Sequence, residues 1–409
     1  MRSVDRLLTA LICLLLVENA AAHGERAQQA NTRMRTTHFY DVSMSPTNLR
    51  VGDTMKLTGR FRVSKFWPDH IPGVEDRVFL NIGSSGPNFV RTASTIDGVS
   101  MVQSTSLQTG RDYEFTMDLK ARKTGRFHVH PVLNVLNTGT LVGGGRWITI
   151  EPGAQPFDNK VETMFGREVD LETYNLNVVY SWHLLWFLVG GAWLAYWFRR
   201  RPLLIPRYRE VQSLEDAGED PDQLITATDR KVAAGFVAVT LVLIIGGYQW
   251  AEARHPVTTP LRTAKVDVPE KPAPVSSIDV KLEEATYRIP GRSFQMTLTV
   301  DNHSNQVVEV GEFATANVRF INPSVQSVEP HDSHDLVAPQ GLRVEGGPLT
   351  PGDSHVIKVF AEDALWETQR LTLLINDPDS IIVGLLFFYG PDGSREIVEV
   401  GGPMLPVFQ

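Results

Sequence analysis

Two parts of the chain show short segments in which apolar and polar residues alternate. In TMKLTGRFRV (54–63) and YEFTMDLKA (113–121), apolar residues recur at every second position. Successive side chains of a β-strand point to opposite faces of the sheet, so this pattern predicts strands with one buried face. Several short strands separated by turn residues are typical of an antiparallel sandwich or barrel. We therefore predict a mainly β protein with two β-sandwich domains, one before and one after residues 178–250.

The other predicted strands have the same character. Before residue 150 they are HFYDVSMS, RVFLNIG, FVRTAS, RFHVHPVLNV and RWITI, and after residue 278 they are VKLEEATYRI, SFQMTLTVDN, VRFIN, HVIKVFAED, RLTLLIN, IVGLLFFY and REIVEV. The triplet Gly143-Gly144-Gly145 is predicted to form a turn, because it lacks the lysine and the strand–helix context of a phosphate-binding loop.

Two longer apolar runs, residues 178–198 and 232–250, predict helices that cross a membrane. Their length is close to the ~20 residues that a spanning helix needs, and aromatic residues at their ends suit the lipid–water interface. Arginine and lysine residues begin and end the intervening segment 199–231, and positive charge beside a span marks the cytoplasmic side. We therefore expect this loop in the cytoplasm and both sandwiches on the periplasmic side.

The first 22 residues are typical of a secretory signal peptide. Two arginines precede a short apolar run, and Ala20-Ala21-Ala22 supplies a cleavage site that leaves His23 as the first mature residue. The predicted organisation is a signal peptide (1–22), an N-terminal domain (23–177), a span (178–198), a loop (199–231), a span (232–250), a linker (251–277) and a C-terminal domain (278–409).

Charge and cysteine content narrow the possible functions. The net charge is −8, so the basic surface of a nucleic-acid-binding protein is not expected. The single cysteine, Cys13, lies in the predicted signal peptide. The mature chain then has no thiol, which excludes disulfides and thiolate metal sites. A transition metal would have to be held by imidazole, carboxylate or amine groups, and imidazole suits copper, zinc, iron and nickel.

The motif His128-Val129-His130 is the clearest candidate metal site. Residues two apart on a strand share a face, so the two imidazoles can reach one metal ion. On its own the motif fits equally well with two polar residues on a solvated face. His23 favours the metal site, because a first-residue histidine offers both an imidazole and an α-amine. An all-nitrogen site in an oxidising compartment favours copper by the order of affinities.

Three further residues are weaker candidates. Glu25 and Gln28 lie close to the predicted mature terminus and could orient an imidazole, although both also fit a solvated segment. His38, on the first predicted strand, is a candidate additional ligand, although a lone histidine there is more often structural. The C-terminal sandwich shows no convincing ligand cluster, so we expect it to have a structural role.

The sequence resembles the B subunit of the copper membrane monooxygenases, the family of particulate methane monooxygenase and ammonia monooxygenase. The resemblance extends from His23 to the C-terminus and rests on these stretches: HGERAQ, MRTTHFYDVSMS, LKARKTGRFHVHPVLNV, GGGRWITIEP, TATDRKVAAGF, EEATYRIPGR, GEFATANVRFIN, DALWETQRL and DPDS followed by GLLFF.

The resemblance implies two cupredoxin-like domains joined by two transmembrane helices, with copper held by His23, His128 and His130. It also implies two multi-span partner subunits in a trimer of heterotrimers, a bacterial inner or intracytoplasmic membrane, and hydroxylation of methane, ammonia or a short alkane with O2. Some relatives have a further copper site that uses a histidine at the position of Arg62. A guanidinium cannot serve as a ligand, so we expect this additional site to be absent here.

Two other functions are compatible with parts of the pattern. A membrane-tethered copper carrier without a catalytic role would also use an N-terminal histidine, and genes for copper exporters beside this one would favour it. A polysaccharide-oxidising enzyme would share that histidine, but the two spans and the second sandwich argue against it.

Overall fold

A computed structural model describes residues 30–136, 138–163, 166–200, 204–255, 265–289, 293–325, 337–362 and 380–408. The predicted mainly β architecture is confirmed. The chain divides into two compact units, one made of the residues up to Phe157 and from Pro260 onward, and the other of Asp158–Thr259. The first unit contains both β-rich parts of the chain.

The N-terminal sandwich follows a short helix, α1 (Ala30–Arg35). Its strands are β1 (Thr37–Ser45), β2 (Asn48–Arg50), β3 (Thr54–Val63), β4 (Val78–Gly83), β5 (Phe89–Ile96), β6 (Val99–Ser100), β7 (Arg111–Ala121), β8 (Gly125–Val135), β9 (Gly139–Val142) and β10 (Arg146–Glu151). One sheet has the order β1-β3-β7-β5-β6, and the other has the order β2-β10-β8-β4 with β9 paired to β8. Alternate residues of β7, among them Phe115 and Met117, meet Val129 and Leu133 of β8 in one core.

Residues 158–259 form the second unit. It has a hairpin of β11 (Lys160–Glu162) and β12 (Glu168–Asp170) and helices α2 (Leu176–Arg200), α3 (Leu204–Asp216) and α4 (Ala227–Arg254). By length and composition α2 and α4 could each cross a membrane, and their apolar windows are 0% buried. Helix α3 lies in the segment predicted as a loop, and no sequence pattern predicted a helix there.

The stretch TATDRKVAAGF contains a well-defined helix start. The hydroxyl of Thr226 accepts from the backbone N–H of Asp229, and the carboxylate of Asp229 accepts from the backbone N–H of Thr226. The hydroxyl of Tyr196 on α2 donates to the same carboxylate at 2.7 Å. This capping box therefore starts α4 and also joins it to the end of α2.

The C-terminal sandwich has strands β13 (Ile278–Ile289), β14 (Phe294–Asn302), β15 (Glu309–Thr315), β16 (Val318–Ile321), β17 (Val337–Ala338), β18 (Leu342–Glu345), β19 (Ser354–Ala361), β20 (Ile381–Tyr389), β21 (Arg395–Pro403) and β22 (Leu405–Phe408). Its sheets have the orders β18-β19-β14-β13-β22 and β17-β16-β15-β20-β21. Strand β15 was not predicted, and the predicted strand RLTLLIN lies outside the described residues.

The two sandwiches pack on each other through β20. One face of this strand lies in the C-terminal core, and its other face, with Leu385 and Phe387, forms a cluster with Tyr40 of β1. Burial on both faces explains why the sequence of β20 is continuously apolar. Around this cluster, Arg395 donates to Asp41 at 2.8 Å and Ser64 donates to the buried Glu399 at 2.5 Å.

Candidate metal centre

Strand β8 brings His128 and His130 together on one face. Their rings lie 4.3 Å apart between centroids and are nearly perpendicular, at 87°. Val129, between them, is fully buried in the core on the opposite face. The alternation of side chains along β8 therefore produces the pair that the sequence predicts at one metal ion.

A backbone carbonyl determines the proton positions of this pair. His130 Nδ1 lies 2.9 Å from the carbonyl oxygen of Gly143, and because that oxygen can only accept, Nδ1 carries the proton. His130 Nε2 then presents a lone pair, and it lies 2.9 Å from Nδ1 of His128, which donates to it. The lone pair of His130 is thus directed at the space between the two rings.

The two facing nitrogens fit a copper ion. Imidazole nitrogens bind transition metals at about 2.0 Å, so atoms 2.9 Å apart can occupy neighbouring positions of the tetragonal geometry that Cu(II) favours. His128 Nδ1 would have to release the hydrogen that it donates, since ligands must lose their protons to bind. The bond from His130 to a carbonyl is the outer contact that commonly fixes a ligand histidine.

The glycines between β9 and β10 lie directly behind His130. A Cβ on Gly145 would be 2.3 Å from Cε1 and 2.4 Å from Nδ1 of His130, and a Cβ on Gly143 would be 2.7 Å from atoms of Phe39 and Pro131. The prediction of a turn here was wrong, because residues 143–145 form no turn, and close approach to other residues requires glycine at positions 143 and 145. Residues 143–145 form the surface, called the glycine wall below, against which the imidazole of His130 packs.

Trp147 covers the other histidine. In the antiparallel pairing of β8 with β10, Trp147 lies opposite His128, and their ring centroids are 5.0 Å apart. Arg126 places its guanidinium 4.8 Å from the centre of the Trp147 ring, a distance within the range of cation–π attraction. Trp147 is 39% exposed, so this indole separates His128 from solvent on one side.

His38 lies in a different environment. It is buried, and its partner across the β1–β3 pair is Arg62, whose guanidinium donates to Asp112 at 2.7 Å. Burial, reinforced by the positive charge of Arg62, lowers the pKa of His38 to about 3, although a hydrogen bond to the backbone of Met34 opposes this. The imidazole is neutral at physiological pH, but the adjacent guanidinium disfavours a second cation.

We therefore expect a His38→Asn variant to retain the copper of the complex. The asparagine amide can keep the hydrogen bond to the backbone of Met34, and the smaller side chain should cost about 0.5–3 kcal/mol in the free energy of unfolding. Copper per complex by mass spectrometry, beside the midpoint of thermal unfolding, checks this. Copper loss with unchanged thermal stability would instead make His38 a ligand.

The other predicted site residues lie outside the described residues. This applies to His23, Glu25 and Gln28, which precede Ala30. Across the described ranges, no group of three or more His, Cys, Asp or Glu residues has the arrangement of a metal site. The pair on β8 brings together two of the three predicted ligands, and the ligand roles of His23, His128 and His130 remain predictions.

Two residues at this centre, Gly145 and Trp147, were not predicted from the sequence. Both lie on or beside β10, and neither belongs to a residue type that ligates metals. The alternation of RWITI places Trp147 off the core, which is a weak signal of a special position. Nothing in the sequence pairs it with His128.

Comparison with known proteins identifies the family. The family model for the B-subunit proteins of monooxygenases matches residues 24–408. The chain belongs to this family. The particulate methane monooxygenase alpha subunit of Methylococcus capsulatus (Bath) is 43% identical over 394 residues, which cover 95% of this chain and 93% of that relative. The chain is thus the B subunit of a monooxygenase, as the resemblance implied.

Among solved structures, the cupredoxin domain of amoB from Nitrosocaldus yellowstonii covers 32% of this chain and 96% of its own length. The two are 16% identical with a TM-score of 0.24.

Proposed function

We propose that this chain holds copper through His23, His128 and His130 in a membrane complex that hydroxylates methane, ammonia or a short alkane with O2. The observation that carries the proposal is the 2.9 Å approach of His128 Nδ1 to His130 Nε2 in a member of this monooxygenase family. The name of the Methylococcus relative favours methane as the first substrate to test.

The chain's own residues orient the two imidazoles. The carbonyl of Gly143 holds the proton on His130 Nδ1, which leaves Nε2 ready to ligate. Trp147 and the glycine wall limit the positions that the two rings can adopt. A copper ion held there would supply the one-electron redox chemistry that reaction with O2 requires.

We propose that both sandwiches lie in the periplasm and that α2 and α4 lie in the bilayer. The apolar surfaces of these helices are unburied within the chain, as expected of helices that face lipid or the spans of partner subunits. We propose two multi-span subunits as those partners, in a trimer of heterotrimers within a bacterial inner or intracytoplasmic membrane.

The test is purification of the intact membrane complex, followed by assays with 18O2. We expect copper in the complex and 18O in methanol formed from methane, or in hydroxylamine formed from ammonia. Removal of copper by a chelator should abolish the labelled product, and restoring copper should return it. A copper-loaded complex with its partner subunits that forms no labelled product from either substrate or from short alkanes would contradict the proposal.

The same purification distinguishes the proposed monooxygenase from the main alternative, a membrane-tethered copper carrier. A carrier would purify without multi-span partners and would pass its copper to a chelator or an acceptor protein. Family membership favours the monooxygenase complex over this alternative.

A further inference from the structure

The turn between β15 and β16 of the C-terminal sandwich reaches the segment behind His130. Ala316 and Asn317 in this turn have positive φ angles of 45° and 67°, a conformation that asparagine adopts more readily than most residues. The side-chain amide of Asn317 donates to the carbonyl oxygen of Val142. Val142 is the last residue of β9 and directly precedes Gly143.

These contacts form a continuous connection from the C-terminal sandwich to the metal centre. Asn317 holds the carbonyl of Val142, and the next carbonyl, that of Gly143, accepts from His130 Nδ1 at 2.9 Å. His130 in turn lies 2.9 Å from His128 through its Nε2 atom. The orientation of the Gly143 carbonyl therefore depends on a residue of the other sandwich.

A second contact holds the chain near its predicted mature terminus. Met34 on α1 is fully buried, and it lies within the core of the C-terminal sandwich rather than the N-terminal one. Helix α1 starts at Ala30, the seventh residue after His23. Helix α1, which follows the predicted ligand His23 in the chain, is therefore anchored in the C-terminal sandwich.

We propose that the C-terminal sandwich positions the copper ligands of the N-terminal sandwich, through Asn317 behind His130 and through Met34 after His23. This inference rests on the proposed copper site. It gives the C-terminal sandwich a role beyond packing. Asn317 and Met34 are positioning residues, because each acts on copper only through another part of the chain.

The experiment compares paired variants in the intact complex. Asn317→Gly removes the hydrogen bond to Val142 and keeps the positive φ accessible, and Ala316→Gly is its control in the same turn. Asn317→Asp retains the shape of the side chain without its N–H donor. This variant replaces Asn317→Gly in the experiment if the glycine variant does not assemble. Met34→Ala opens a cavity in the C-terminal core, and Met404→Ala opens one in the same core through a residue that does not belong to α1.

Copper affinity by chelator competition and the Cu(II) electron paramagnetic resonance spectrum are the two readouts. We expect Asn317→Gly, Asn317→Asp and Met34→Ala to weaken copper binding about 10-fold or more, the scale seen when an outer contact to a ligand is lost. We also expect Asn317→Gly and Asn317→Asp to alter the hyperfine splitting. Ala316→Gly and Met404→Ala should match the unaltered complex in both measurements.

A His130→Ala variant separates the two hypotheses. If copper binding survives His130→Ala, the proposed site itself is wrong. If His130→Ala loses copper while the Asn317 and Met34 variants keep the affinity and the spectrum of their controls, only the role of the C-terminal sandwich is refuted.

Discussion

Complexes that carry His128→Ala or His130→Ala are expected to lose the copper of the N-terminal sandwich. Each substitution removes one of two nitrogens that lie 2.9 Å apart, and a single imidazole cannot chelate through this pair. The loss of affinity should exceed the ~10–100-fold cost of removing an outer hydrogen bond. Copper stoichiometry under chelator competition, with the Cu(II) spectrum, measures this directly.

The two variants should also differ from each other. His130→Ala removes the ring that the Gly143 carbonyl holds and opens buried space beside Gly145, whereas His128→Ala removes a ring that is only partly buried. We therefore expect a larger fall in the thermal unfolding midpoint for His130→Ala. His70→Ala, an exposed histidine of the same sandwich, is the control and should retain full copper. Retention of the native spectrum by His128→Ala and His130→Ala would contradict the site.

Local patterns were sufficient for the strands and for the histidine pair. Strands β3, β7 and β14 follow the period-two alternation, because one face of each lies on a core, and the same period places His128 and His130 side by side. A strand that buries a charged residue was not recognised. Strand β15, EVGEFAT, was missed because Glu312 is fully buried, and its carboxylate is satisfied by Arg319 at 2.6 Å.

Contacts between distant segments could not be predicted. The alternation of β10 does not show that Trp147 pairs with His128, since that depends on the register of two strands. The sequence also does not show that Asn317 reaches Val142, which requires the packing of one sandwich on the other. The ligating atoms were thus foreseeable from residue type and spacing, whereas the groups that hold them in place were not.

Helix α3 shows a similar limit. The segment 199–231 was recognised by its flanking positive charges, which indicate a side of the membrane and not a secondary structure. A helix whose described side chains are mostly exposed has no strong apolar face to reveal it.

A Gly145→Ala variant should lose most of the affinity of the site for copper while the sandwich remains folded. The added Cβ would lie 2.3 Å from Cε1 of His130, a distance that real contacts do not reach, so the imidazole must move. Movement of the ring breaks its hydrogen bond to the Gly143 carbonyl and separates His130 Nε2 from His128. We expect a fall in copper affinity of at least ~10-fold and a changed Cu(II) spectrum.

The matched control is Gly402→Ala in the C-terminal sandwich, where the added Cβ would lie 2.9 Å from Cδ2 of Leu282. Both substitutions force one side chain to move, but only that at Gly145 moves a ligand. Thermal unfolding should therefore shift in both variants, and copper affinity should fall only in Gly145→Ala. If Gly145→Ala and Gly402→Ala have equal copper affinity and both show the Cu(II) spectrum of the unaltered complex, the glycine wall does not control the position of His130. The close approach of backbone to imidazole would then be a matter of packing alone.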